Sequence, residues 1–257
     1  MPDVMIVTGG NRGIGAAIAR EAGARGWRVG VNYRRHGEEA RAVAAGIVAA
    51  GGTAIAVQAD VAEEDDVVCL FEEVDEHLGP VKALVNNAGI DLPVTVAEVT
   101  AEQAQAVFAA NAVGPILCAR EAVRRMSTAR GGSGGVIVNV SSIAALYGGM
   151  PGDVVYAGSK AAVDALTMGL AREVAGQGIR VCGVRPGMTA TDMWTDSGMT
   201  LEEVQRGAES FVPLGRVGTP EEIAAAVLWL CSDAASYVTG AIMNVSGGRE
   251  INIPPSA

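Results

Sequence analysis

Basic charge is in short supply in this sequence: 19 Lys and Arg stand against 29 Asp and Glu, a formal net charge of −10. A nucleic-acid footprint needs cations gathered on one face, so the composition argues against DNA or RNA as a partner. Histidine is scarcer still, with only His36 and His77, and the cysteines Cys69, Cys118, Cys182 and Cys231 show no CxxC spacing. No metal-ligand set or disulfide framework can be assembled from them, and reduced packing thiols are expected. No charged-then-apolar signal pattern is read in MPDVMIVTGG, which runs at once into an apparent strand and glycine turn. No run approaches the roughly 18 apolar residues of a membrane span. A cytoplasmic protein with no resident metal is the expectation.

What is present is material for a core, with 49% hydrophobic and 19% charged residues. Short β-branched runs alternate with Ala-rich helical segments. VMIV precedes Gly13 to Arg25, RVGVNY precedes Glu38 to Ala50, and TAIAVQ precedes Glu63 to His77. KALVNN then leads to Ala101 to Met126, GVIVNV to Val154 to Ala175, and IRVCGVR to Pro220 to Leu230, before a final AIMNV. Continuous apolar strands between helices indicate a parallel sheet covered on both faces. The pattern predicts one doubly wound α/β domain of Rossmann type with seven strands over residues 1–257. Two segments break the rhythm: ARGGSGG at 129–135, read as a flexible loop, and residues 188–214, polar and Met-containing. A connection as long as the second usually carries function, and a substrate lid is expected there.

After the first strand comes TGGNRGIG, with Gly9, Gly13 and Gly15 where strand becomes helix. Glycine lets backbone approach a ligand closely, and the free N–H groups of a helix N-terminus attract a diphosphate. The spacing departs from GxGxxG, but the position in the first βα unit is where open α/β sheets bind ligands. About 20 residues on, an acidic residue would hold the adenosine ribose of NAD. The sequence has Asn32, Tyr33, Arg34 and Arg35 there instead. A guanidinium matches a 2′-phosphate, so NADP(H) is favoured and NAD(H) remains possible, with Arg12 as a second cation. Asn11, Arg12, Ile14, Tyr33 and Arg34 join the three glycines as candidate cofactor contacts. A basic pair in a surface loop is equally compatible with a solvated one.

Tyr156 and Lys160 lie four apart in VVYAGSKAAV, on one face of a predicted helix. Hydride transfer at a carbinol carbon needs a matching proton transfer at oxygen, and a free tyrosine ionises too high to be a base at neutral pH. A cation one turn away stabilises the phenolate.

Together TGGNRGIG, QADV at 58–61, NNAG at 86–89, VSS at 140–142, YAGSK at 156–160 and RPG at 185–187 resemble the short-chain dehydrogenase/reductase family across nearly the whole chain. The resemblance implies an NAD(P)-dependent oxidoreductase acting on a carbonyl or secondary alcohol, with Tyr156 as acid/base. It implies that Lys160 lowers the phenol's pKa and binds the nicotinamide ribose. Ser142 would hold the substrate oxygen, with Ser141 its rival. Asn111 would hold a water linking Lys160 to solvent, although a helix asparagine also bonds locally to backbone. By the same resemblance Asp60 and Val61 border the adenine, Asn87, Ala88 and Gly89 line the ribose side, and Pro186, Gly187 and Thr191 meet the nicotinamide. A homotetramer built on the helices starting near Ala101 and Val154 is also implied. One departure is Ser246, where the family often has an aspartate before the glycine pair.

GGSGG at 131–135 formally fits a hydrolase's G-x-S-x-G, but its serine precedes a strand and both histidines lie upstream. A nucleotide-sensing or scaffold protein that has lost catalysis is the remaining rival. Similar members include 3-oxoacyl-carrier-protein reductases and glucose-dehydrogenase-like proteins. An acidic surface fits poorly with docking an acidic carrier protein, unless Arg124, Arg125 and Arg130 form a local patch. Asp153 is a candidate substrate contact or a helix cap.

Overall fold

The computed structural model describes residues 3–191 and 199–251. The seven expected strands are β1 (Val4–Val7), β2 (Arg28–Tyr33), β3 (Thr53–Gln58), β4 (Val81–Asn86), β5 (Gly135–Val140), β6 (Ile179–Pro186) and β7 (Ile242–Val245). They form one sheet in the order β3-β2-β1-β4-β5-β6-β7, with every pairing parallel. The helices before the long segment are α1 (Gly13–Ala24), α2 (Gly37–Ala49), α3 (Glu64–Leu78), α4 (Ala101–Phe108), α5 (Gly114–Met126), α6 (Ala144–Tyr147) and α7 (Val154–Val174). Beyond it come α8 (Leu201–Phe211) and α9 (Pro220–Cys231).

The side-chain period of two divides each strand between two cores. On β1, Met5 and Val7 pack with Ile18 of α1, Val43 of α2 and Val227 of α9. Val4 and Ile6 face the other way, onto Phe71 of α3, Cys118 of α5 and Val174 of α7. All four β1 residues are wholly buried, as an inner parallel strand requires. Helix starts are set locally: Thr100, Thr200 and Thr219 each close a capping box with Gln103, Glu203 and Glu222. Chain order reverses between β1 and β4, so the turns after those two strands lie side by side at their carboxyl ends.

Three expectations change. The helix foreseen as continuous over Ala101 to Met126 contains a π-helical turn, Ala109–Val113, between α4 and α5. Its length and apolar composition would suffice to cross a membrane, but 56% of its apolar window is buried in the protein. The long segment 188–214 includes α8, whose Val204 and Ala208 form a small core of their own with Met188 and Val212. Met193 and Trp194, foreseen as part of the lid, lie outside the described residues. Of the cysteines, Cys118, Cys182 and Cys231 are buried thiols, whereas Cys69 is exposed on α3 and packs nothing in the core. In the GGSGG loop, Ser133 takes a hydrogen bond from Lys82 at 2.8 Å, leading into β5.

A buried polar chain ties α7 to the sheet. Asn86 Nδ2 on β4 donates to Asn139 Oδ1 on β5 at 2.9 Å, and Asn139 Nδ2 donates to Thr167 Oγ1 on α7 at 2.9 Å. All three residues are buried, so removing the middle one strands its neighbours. Asn139→Ala is expected to cost about 2 kcal/mol in urea unfolding. An unchanged midpoint would show that the chain does not fix α7.

Candidate active site

The turn after β1 is held from three sides. Gly9 N–H donates to Asn32 Oδ1 at 3.2 Å, and Asn32 Nδ2 donates to the Ala59 carbonyl at 3.0 Å. Asn87 Nδ2 donates to the carbonyls of Thr8 at 2.9 Å and Gly9 at 3.1 Å. Thr8 Oγ1 in turn accepts the N–H groups of Asn87 and Ala88 at 2.9 and 3.0 Å. A Cβ on Gly15 would fall 2.1 Å from the Gly9 carbonyl, so only glycine permits this closeness of turn and helix. Gly9 and Gly13 have φ of +60° and +51°, the region that favours glycine. Gly13 also faces Thr191, whose Cγ2 is 3.4 Å from where its Cβ would be.

The first turn of α1 contains no acidic residue and its N-cap Arg12 makes no side-chain cap bond. That N-terminus, with glycine backbone around it, fits a diphosphate. Asn11 donates to Glu39 at 3.2 Å, linking the turn to α2. Tyr33 is buried at the end of β2, while Arg34 and Arg35 are exposed there and no carboxylate ends the strand. Arg34 Nη1 lies 3.4 Å from Asp60 Oδ2, so the two residues foreseen at the adenosine end are in contact. Val61 packs against Gly114, where a Cβ would meet the Val61 side chain at 2.8 Å. Pro186 ends β6, and a Cβ on Gly187 would fall 2.6 Å from Ser246 Cα. Ser246 closes its own turn, accepting from Gly248 N–H at 3.2 Å and donating to Glu250. A serine thus does the local work there without an aspartate.

Next to this cleft, α7 presents Tyr156 and Lys160. Lys160 is 4% exposed, its Nζ donates to the Val140 carbonyl at 3.0 Å, and it stands 5.7 Å from the Tyr156 ring centre. Burial pushes the ammonium down to about 8, while the charges of Asp164 and Asp91 hold it up. Burial drives the Tyr156 phenol well above the usual tyrosine range; a hydrogen bond with Ser142 opposes the rise, and Asp91, Asp153 and Tyr147 add to it. At neutral pH the phenol therefore keeps its proton beside an ammonium.

The two serines differ in their partners. Ser141 is buried and donates to the Lys160 carbonyl at 3.1 Å, a structural bond. Ser142 is half-buried and accepts from Ala144 N–H at 3.1 Å. Asn111 lies wholly buried in the π-helical turn, a feature frequent at functional sites. Its Oδ1 accepts from Ile90 N–H and its Nδ2 donates to the Ile90 carbonyl, both at 2.8 Å, with a further bond to Ser159 Oγ at 3.0 Å. The side chain thus clamps the strand-end turn over the lysine: a Cβ on Gly89 would lie 3.1 Å from Asn111 Oδ1 and 3.3 Å from Lys160 Nζ. Asp153 precedes α7 without capping it, and its Oδ2 accepts from Met150 N–H at 2.8 Å.

Sequence reading missed Thr8, Asn32 and Asp91. Thr8 and Asn32 lie inside quoted stretches, TGGNRGIG and RVGVNY, but nothing in their spacing announces the bonds they make. Asp91 follows the clamped Ile90; its Oδ1 is buried without a hydrogen-bond partner. Burial and then Asp153 raise its carboxyl to about 6, against pulls from Leu92 N–H and Lys160.

Residues 9–250 match the family model described as Enoyl-(Acyl carrier protein) reductase. An uncharacterised oxidoreductase of Escherichia coli, YgfF, is 48% identical over 96% of this chain and 99% of its own length. A 3-oxoacyl-[acyl-carrier-protein] reductase of Synechocystis is 39% identical over 95% of this chain and 96% of its own. Among solved structures, a short-chain dehydrogenase/reductase variant of Serratia marcescens superposes with a TM-score of 0.88 at 33% identity, covering 96% of this chain and 97% of that one.

Proposed function

Given that this chain belongs to the short-chain dehydrogenase/reductase family of oxidoreductases, we propose that it moves a hydride between a nicotinamide cofactor and a carbonyl or secondary-alcohol substrate. The observation that carries this reading is half-buried Tyr156 and buried Lys160, one turn apart on α7 with the ammonium 5.7 Å from the ring centre. Bound nicotinamide would supply the hydride to the carbonyl carbon. The protein has to deliver a proton to the oxygen, and Tyr156 holds one at neutral pH. Ser142 hydrogen-bonds the substrate oxygen and so fixes it within reach of the phenol. Lys160 stabilises the phenolate left behind and binds the nicotinamide ribose, and Asn111 holds the relay water beside it. In the free protein these protonation states favour carbonyl reduction, with alcohol oxidation gaining as pH rises.

Within this reading Gly9, Asn11, Arg12, Gly13, Ile14 and Gly15 cradle the diphosphate. Asp60, Val61, Asn87, Ala88 and Gly89 line the adenosine and ribose side, and Pro186, Gly187 and Thr191 face the nicotinamide. NADP(H) is preferred over NAD(H); the want of a carboxylate at the end of β2 supports that preference, with exposed Arg34 exchanging its 3.4 Å contact with Asp60 for a 2′-phosphate. Segment 188–214 serves as the substrate lid, a reading supported by the separate small core of α8. Exposed Phe108, Val113, Ile116 and Met168 on α4, the π-helical turn, α5 and α7 support a homotetramer. A cytoplasmic setting suits the free cysteines. Arg124 and Arg125 are paired with buried Glu121 at 2.8 and 2.7 Å, and Arg125 also with Asp75 at 2.6 Å. Those partners offset Arg124 and Arg125, two of the three arginines of the foreseen patch, which weakens the case for docking an acidic carrier protein.

Tyr156→Phe is expected to lower kcat/KM by about 10²- to 10⁴-fold while NADPH affinity, read by nicotinamide fluorescence, stays as in the wild type. Full turnover in that variant would remove Tyr156 from the mechanism. Arg34→Ala is expected to weaken NADPH binding about tenfold or more and NADH binding hardly at all. Equal losses for both nucleotides would refute a 2′-phosphate contact.

A further inference from the structure

We infer that Arg249, on the turn after β7, is a positioning residue for specificity: it braces the loop between Ser142 and Tyr156 into an apolar wall that receives a carbonyl compound with an aromatic body. This inference rests on the oxidoreductase reading above and names the substrate class of the same site. The loop begins at Ser142, whose Oγ accepts from Ala144 N–H of α6, and ends at α7, which carries Tyr156 in its first turn. What it presents therefore stands between the two groups assigned to the substrate oxygen. Arg249 holds the middle of this loop, with its guanidinium 5.9 Å from the Tyr147 ring centre and its Nη2 donating to Met150 Sδ at 3.3 Å. The end of the loop is fastened to the one after β4, where Val94 N–H donates to the Gly152 carbonyl at 3.1 Å.

The turn that carries Arg249 is itself anchored. Ser246 donates to Glu250, Glu250 Oε1 accepts from Asn244 Nδ2 at 3.2 Å, and Asn244 Oδ1 accepts from Arg185 Nη1 of β6 at 3.3 Å. The Gly247 carbonyl accepts from Leu214 N–H at 3.1 Å, which joins the same turn to the segment after α8. The side chains that the two fastened loops leave open are apolar: Leu92, Val96, Leu146, Tyr147 and Met150 are between 38 and 65% exposed. Polar groups there are mostly occupied. Thr95 donates to Glu98 at 2.7 Å, Asp153 accepts from Met150 N–H, and Asp91 buries one oxygen. A sugar would find few free partners on such a surface, whereas an aromatic body gains apolar area. Arg249 takes one face of the Tyr147 ring, and 46% of that residue stays exposed to receive it.

The test compares 4-phenyl-2-butanone with 2-butanone, the same methyl ketone with and without a phenyl group, as kcat/KM at saturating NADPH. The expected preference for the phenyl compound is about 30-fold in the wild type, the worth of burying one aromatic ring. It is expected to fall about fivefold in Arg249→Ala and in Tyr147→Ala, while Arg249→Lys and Tyr147→Phe, which keep a cation and a ring in place, retain it. A wild-type ratio near one, or a ratio that either alanine variant leaves unmoved at a native melting temperature, overturns the proposal and leaves the oxidoreductase reading standing. No oxidation of NADPH or NADH by any carbonyl compound would overturn that reading, and the proposal with it.

Discussion

Keeping an ammonium almost wholly out of water is the constraint around which this protein is arranged. Lys160 is 4% exposed, and desolvating a charge is costly unless partners replace the solvent. Here the Val140 carbonyl gives a direct hydrogen bond, and Asp164 and Asp91 supply opposite charge from two sides. Asp164 is itself held by Arg185 at 2.9 Å. The residual strain is visible as an ammonium lowered to about 8, still charged at neutral pH. Its neighbour Tyr156, pushed the opposite way, keeps its proton. Two adjacent groups whose environments push their ionisations apart in this way are the pattern of a candidate proton-transfer site.

The rest of the fold holds that pair against the sheet switch point. The Asn86, Asn139 and Thr167 chain fixes α7 from beneath, and Ser141 bonds the Lys160 carbonyl from the end of β5. Asn111 and Gly89 bring the β4 turn over Nζ, and Asn87 and Thr8 join that turn to the glycine turn. Lys160 and the glycine turn are therefore linked through hydrogen bonds and the covalent backbone of residues 87–90.

The strands and most helices were legible because parallel, doubly covered strands write themselves as apolar runs. Capping threonines and glycine turns mark many of the boundaries. The candidate site was picked out as ordered motifs, with Ser142 preferred over Ser141 on family resemblance alone; the hydrogen bonds add that Ser141 is held by the Lys160 carbonyl. What escaped was set by contacts distant in sequence. A π-helical turn carries no compositional signature distinct from an α-helix, so Ala109–Val113 read as continuous helix. Asp91 has no periodicity or motif to announce it; its significance comes from Asp153 and Lys160, more than 60 residues away. Cys69, counted as a packing thiol, lies on the outer face of α3, an orientation that a lone residue does not declare.

The most direct test of the central claim is the pH profile of kcat/KM for carbonyl reduction, which reports groups of the free protein. The account predicts an alkaline limb near pH 8, where Lys160 loses its proton, moving to lower pH in Asp164→Asn because a charge that holds the ammonium up is gone. A profile without that limb, or one that Asp164→Asn leaves in place, would contradict it.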